Sequence, residues 1–318
     1  MGVKLVKRFT VTIKPIPPYS FELTVRKPAG WPWLTPEEVY EQGVLWTATR
    51  IGSSIVGLRL RSTGTLRRPC VLCDVYSKEM LSKEQRQVIE NKIWRYLGAD
   101  EDISGFCQVA EKDPILKDTA RRLGGMRDTV TDLFPSLLLA TTLQMAPIKR
   151  SQQMMALLVK HYGDSVCFDG KTVVMWPSPE SIVSTSVRDL KRKCKLGYRA
   201  NNLKAIARSL VKGFPDMEAL AAMTPEEAKA KLMELRGIGE YSVGIVSPHP
   251  EFPVDSWSSR IFHVLFFGSR TRLSKDVIKK VQREADRRWG AWKGLAFIYV
   301  LNDLKGLSKR HGVDFTSF

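Results

Sequence analysis

The apolar residues of this 318-residue chain change their period partway along it, and that change limits the folds open to it. From residue 8 to about 75 they alternate with polar ones in β-branched runs, FTVTIK, FELTVRK, VLWTATRI, SIVGLRLRS and CVLCDVYS, separated by Pro, Gly and Ser clusters. Alternation of this kind predicts an antiparallel sheet with one buried face. Thr35-Pro36-Glu37-Glu38 has the pattern of a capping box and predicts a helix between strands; a second helix is expected from Ser82 to about Leu97. From Pro135 onward the spacing becomes helical. Leu203, Ile206, Ala207, Leu210 and Val211 share a stripe that Gly213 ends. The expectation is an α+β antiparallel-sheet domain over residues 1–108, followed by an all-α, two-lobed body over residues 109–318.

Charge narrows the partners. Fifty Lys and Arg against 33 Asp and Glu leave a formal net charge of +17, a strong field for polyanions. Nucleic acid is the leading partner, and a solvated basic surface is the alternative. Basic residues concentrate at Arg188, Lys191, Arg192, Lys193, Lys195 and Arg199, and again between Arg270 and Lys293, either of which could line a phosphate track. No uninterrupted apolar run of about 18 residues is present, and MGVKLVKRFTVTIK lacks the features of a cleaved leader, so an intracellular protein with no membrane partner is expected. Of five cysteines, only Cys70 and Cys73 form a C-x-x-C, and the four histidines lie far from them in sequence. Neither a structural zinc nor a four-cysteine iron–sulfur site is expected.

The most informative segment is Thr224 to Arg260, TPEEAKAKLMELRGIGEYSVGIVSPHPEFPVDSWSSR. Thr224-Pro225-Glu226-Glu227 predicts a helix start, Leu232 and Leu235 supply its apolar face, and Arg236-Gly237-Ile238-Gly239 breaks it into a tight turn. A second helix is expected from about Glu240 and must stop before Pro248. Ile238 is the expected buried anchor, while backbone N–H groups around Gly237 and Gly239 can cradle a phosphate. Asp255 follows Gly239 by sixteen residues and leads into a helix expected from Ser256 to Phe267. An aspartate in that place can be an ordinary helix N-cap or a functional carboxylate.

Leu235 to Ser242 together with Pro253-Val254-Asp255 resembles the helix–hairpin–helix DNA glycosylase superfamily, in which a hairpin and a loop precede a catalytic aspartate. Gly125-Met126-Arg127 with Pro135 to Gln144 is similar to the entry into the helical core of that superfamily. Leu196-Gly197-Tyr198-Arg199-Ala200 is similar to a segment of its 8-oxoguanine and alkylpurine (3-methyladenine) branches. The resemblance implies base-excision repair of double-stranded DNA containing damaged bases, by a monomer whose hairpin holds at most a monovalent cation. It assigns Asp255 as the catalytic carboxylate, Gly237, Ile238 and Gly239 as the hairpin on DNA, and Gln144 and Met145 to the loop that plugs the duplex. Met145 is then the apolar wedge, with plain core as its alternative, and Arg199 joins the DNA-binding set.

Two departures shape the reading. Where lyase branches carry an amine two residues after the second hairpin glycine, this chain has Tyr241, which cannot form an imine, so a monofunctional enzyme is expected. The interval to Asp255 is also shorter than is usual in the superfamily. Tyr241 and Trp257 bracket Asp255 and are the expected substrate-pocket residues, with Trp289 and Trp292 as further candidates. Stacking and cation–π attraction by such rings would favour a cationic alkylated purine. Oxidised or deaminated purines, 8-oxoguanine or hypoxanthine, are the runner-up substrates, and a non-catalytic hairpin DNA-binding protein is the competing class.

Overall fold

The computed structural model describes residues 3–28, 38–52, 54–129, 132–249 and 252–317. Its strands are β1 (Val3–Lys4), β2 (Val6–Ile13), β3 (Val39–Glu41), β4 (Val44–Ile51), β5 (Ser54–Ser62), β6 (Val71–Ser77), β7 (Ser165–Phe168) and β8 (Lys171–Val174). Strands β2 to β6 form one sheet in the order β2-β6-β5-β4-β3, antiparallel throughout. Period-two patterning decides its inner face: Val56, Leu58 and Leu60 point together into a core shared with Ile89, Ile93 and Leu97 of the helix Lys83–Leu97. That helix begins at the capping box of Ser82 and Gln85. The helix expected at Thr35 falls on residues 35–37, outside the described ones.

Two expectations are corrected. FELTVRK, read as a strand, is the helix Phe21–Arg26, because Ser20 caps it by accepting the Leu23 N–H while Phe21, Thr24 and Val25 turn inward. Local β-branching lost to a cap and a tertiary seat. Nor is the body all-helical, since β7 and β8 form a hairpin whose turn residues, Asp169 and Gly170, are both left-handed, at φ 47° and 72°. Strand β1 pairs with β7 in parallel. Val166, Phe168 and Val173 cover the outer face of the five-stranded sheet with Trp46, Tyr76 and Leu5. Gly57 makes room, for a Cβ there would lie 2.6 Å from the Phe168 ring.

The helical body holds two cores. One gathers the helices Leu133–Leu143, Ile148–Tyr162 and Arg199–Val211 with the pair Pro225–Met233 and Glu240–Val246. The other gathers Ser258–Phe267, Lys275–Trp289 and Lys293–Asn302. In the Arg199–Val211 helix, Leu203, Ile206 and Ala207 are buried as the stripe predicts, whereas Val211, its last residue, is 49% exposed. The fully buried Arg127 fastens the N-terminal segment to this body, donating to the carbonyls of Ile16, Pro18, Glu101 and Gly125 at 3.0 to 3.3 Å. Four acceptors compensate a guanidinium that would otherwise be costly to desolvate.

Candidate active site

Local sequence builds the turn before the site. Thr224 accepts the Glu227 N–H at 3.3 Å and Glu227 accepts the Thr224 N–H at 2.9 Å, closing the box that starts Pro225–Met233. Gly237, at φ 82°, turns the chain, and a Cβ there would collide with the Asn202 side chain. Ile238 is buried in the first core with Leu232, Leu235 and Val243. Gly239 differs, because its φ of −113° suits any residue and a Cβ there would meet no heavy atom within 4 Å. Neither backbone conformation nor packing calls for glycine at 239.

Asp255 is held by its own backbone neighbourhood. Phe252 and Val254 are buried in the second core, which leaves Asp255 half-buried at the start of Ser258–Phe267. Its Oδ1 accepts the Trp257 N–H at 3.0 Å, the Ser258 N–H at 2.7 Å and the Ser258 hydroxyl at 2.8 Å. The Asp255 N–H in turn meets Ser258 Oγ at 2.9 Å, a reciprocal cap. Oδ2 takes no part in the cap and faces the Tyr241 hydroxyl at 3.5 Å. One side chain therefore combines a capping oxygen with a second oxygen that lies outside the cap and accepts only the long Tyr241 contact. Burial, and then the Asp255 charge, raise the Tyr241 pKa above its ordinary range, so the phenol keeps its proton.

The other candidates divide between surface and interior. Met145 is 93% exposed with a left-handed backbone, φ 47°, at the turn after Leu133–Leu143. Gln144 instead turns inward: its Nε2 donates to the Gly237 carbonyl at 2.7 Å and to Ser242 Oγ at 3.1 Å. Arg199 is 8% exposed and donates through Nε, at 3.1 Å, and Nη2 to the Gln144 carbonyl. Trp257 meets Asp255 through its backbone, while its ring packs at the edge of the second core. Trp289 is 2% exposed among Phe252, Phe262 and Phe266, so it is core, and Trp292 packs against Phe106.

Sequence reasoning missed Ser258 and Gly244. Asp255-x-x-Ser258 carries a capping-box signal in plain view, whereas Gly244 matters only through a tertiary approach to Pro253. All five cysteines are free thiols, and burial drives the Cys73 pKa far up. Among the described residues no group of three His, Cys, Asp or Glu is arranged to hold a metal, and no helix is long and apolar enough to cross a membrane. A cavity of about 330 Å³ opens between the sheet and the body beside Tyr96, Phe134 and Trp176, and none of the candidate site residues lines it.

No family model matches the chain. It is 25% identical over 225 residues, 68% of this chain and 72% of the relative, to a DNA-3-methyladenine glycosylase of Bacillus subtilis. Among solved structures it is similar to a 3-methyladenine DNA-glycosylase from Archaeoglobus fulgidus, with a TM-score of 0.77 at 20% identity over 95% of this chain and 99% of that one. It is also similar to a Clostridium acetobutylicum 8-oxoguanine glycosylase/lyase in complex with double-stranded DNA, with a TM-score of 0.69 at 17% identity over 97% and 98% of the two chains. In sequence, then, the chain is similar to a DNA-3-methyladenine glycosylase, and in fold to glycosylases of both the 3-methyladenine and the 8-oxoguanine kinds.

Proposed function

We propose that the chain is a base-excision repair DNA glycosylase that flips a damaged purine out of the duplex and hydrolyses its N-glycosidic bond. On this reading residues 1–108 form its N-terminal domain, and residues 109–318 form the helix–hairpin–helix core. The observation that carries the reading is Asp255: one carboxylate oxygen is fixed by three donors, and the other lies outside the cap beside the Tyr241 hydroxyl. As the bond from C1′ to the base nitrogen breaks, its electron pair leaves with the base and positive charge builds on the sugar. A fixed carboxylate beneath the ring stabilises that charge. Water then bonds to C1′ and loses a proton. A purine alkylated on a ring nitrogen is already cationic and leaves neutral without needing an acid.

The flipped base stacks against Tyr241 and Trp257, Met145 fills the gap in the duplex, and the Gly237–Gly239 backbone holds a phosphate. Arg199 acts from inside, by holding the loop that bears Met145. Tyr241 supplies no amine, which supports an enzyme without lyase activity. A monovalent cation at the hairpin would be held by the Leu235 and Gly237 carbonyls, which also accept the Ile238 N–H and the Gln144 amide.

The relative's name favours alkylated purines, while the 8-oxoguanine fold neighbour keeps oxidised purines as the second reading. Single-turnover release from duplexes carrying each lesion tests both, each rate being divided by its own uncatalysed rate. A larger enhancement for the alkylated purine is expected, and Trp257→Ala should reduce it by about two- to thirty-fold, the range of a cation–π contact. A larger enhancement for 8-oxoguanine or hypoxanthine would replace the first reading by the second. No release from any lesion would leave a non-catalytic DNA-binding protein.

A further inference from the structure

Three segments distant in sequence meet at Gln144. Its carbonyl accepts the Arg199 guanidinium, from the first residue of the Arg199–Val211 helix, and its side-chain amide donates to the Gly237 carbonyl and to Ser242. Gly237 lies against Asn202 of that same helix, so the turn, the helix and the 144–147 loop are fastened at one point. The next residue is Met145, almost fully exposed and with its backbone in the left-handed region. A non-glycine residue keeps that conformation only where its surroundings fix it. Of the two ends of Gln144, neither is free for DNA. An amide is also the group that fits, because it brings two donors to two acceptors, the Gly237 carbonyl and Ser242 Oγ.

We infer that Gln144 is a positioning residue that couples the phosphate-holding turn to the Met145 wedge, making insertion into the duplex conditional on the turn being seated. The inference rests on the glycosylase reading. When the backbone around Gly237 engages a phosphate, its position passes through the Gln144 amide to the residue beside Met145. Arg199 fixes the other end of the same residue, so the loop cannot yield. Without the amide, the turn still meets phosphate and Asp255 still faces the sugar, but Met145 is no longer held for insertion.

The test uses Gln144→Glu, which keeps the shape and removes both donors, and Gln144→Ala, with the full chain. Base release in single turnover is compared for one alkylated purine in two settings: normally paired, and opposite an abasic site, where no base pair remains to be broken and flipping is easier. Both variants should slow by about tenfold or more on the paired lesion and by much less on the unpaired one, the pattern expected when flipping rather than chemistry is impaired. Met145→Ala should show the same split, and Gln144→Ala with Met145→Ala should be no slower than Met145→Ala alone. The fluorescence of 2-aminopurine beside the lesion, read in an Asp255→Asn background, should fall in parallel because it reports insertion without chemistry. Equal losses on both duplexes, or additive losses in the double variant, would overturn the coupling and leave Gln144 a structural tie. A parent that releases no base from either duplex overturns the glycosylase reading itself, a distinct outcome.

Discussion

Gly244 and Pro253 approach so closely that a Cβ on Gly244 would lie 2.8 Å from the Pro253 Cβ. This contact sets the second helix of the turn pair against the segment that delivers Asp255, two residues later. Gly244 is helical, so it is needed here for the approach and not for its backbone freedom. Gly244→Ala should push the Pro253–Asp255 segment away and move the carboxylate relative to Tyr241. Displacements near 1 Å in an active site cost on the order of a hundredfold, so single-turnover base release should fall by about ten- to a hundredfold while the helical circular dichroism is kept. A parental rate would show that the segment shifts freely and that Gly244 does not position Asp255.

The two glycines of the turn should respond in opposite ways. Gly237→Ala forces a Cβ into the left-handed region and into Asn202, and should cost roughly 1–3 kcal/mol of stability. Gly239→Ala meets open space at an ordinary φ, and its effect on stability should stay within about 1 kcal/mol. Its effect should appear on DNA, where the added methyl group stands between backbone and phosphate and weakens binding to damaged and undamaged duplex alike. Thermal unfolding and duplex titration at fixed salt separate the two. Should Gly239→Ala bind duplex as the parent does, the turn is structural only.

What the sequence revealed and what it hid follow from the reach of each interaction. The turn was legible because its causes are local: Thr224 and Glu227 are three residues apart, and Gly237 needs its φ whatever surrounds it. Strands β7 and β8 were not, although Asp169-Gly170 is a strong two-residue turn signal. Their apolar residues are few, lie between helical stretches and pack against residues such as Trp46, Tyr76 and Leu5, more than 85 residues away. Asp255 stands out by its spacing, yet the division of its oxygens, one in the cap and the other beside Tyr241, needed the fold. The inward turn of Gln144 and Arg199 is hidden likewise, since the sequence reads Gln144 as part of the loop on DNA and Arg199 as one of a basic concentration.

Tyr241 offers a hydroxyl where a lyase would offer an amine. Borohydride should trap no covalent protein–DNA adduct, and the products should be intact abasic strands until treated with alkali. Burial and the Asp255 charge hold the phenol pKa above its ordinary value of 10.0, so Tyr241 stays neutral to that pH and beyond. Any fall in rate between pH 8 and 10 must come from another group, and Tyr241→Phe should therefore keep the parental alkaline limb. Its rate should drop modestly across the whole profile as Asp255 Oδ2 loses its one partner. An alkaline limb abolished in Tyr241→Phe would show that the phenol titrates; efficient trapping would point to an amine such as Lys231.

Ser258 and Asp255 allow the capping role of the carboxylate to be separated from its proposed catalytic role. Ser258→Ala removes the hydroxyl from Oδ1 and the acceptor from the Asp255 N–H, but leaves the backbone N–H groups of Trp257 and Ser258 on Oδ1. It should cost about 1 kcal/mol of stability, the worth of a cap, and slow base release several-fold by loosening the carboxylate. Asp255→Asn does the reverse, since asparagine caps a helix about as well as aspartate and its carbonyl can still accept both N–H groups. Stability should hardly change, yet the negative charge at Oδ2 is gone, and a loss of two to three orders of magnitude in rate corresponds to roughly 3–4 kcal/mol of lost transition-state stabilisation. DNA affinity should stay near the parental value in both. The two variants thus predict opposite rankings by thermal unfolding and by single-turnover rate. Should Asp255→Asn cleave as fast as the parent, Asp255 is a helix cap only, and the carboxylate that stabilises the sugar must be sought elsewhere.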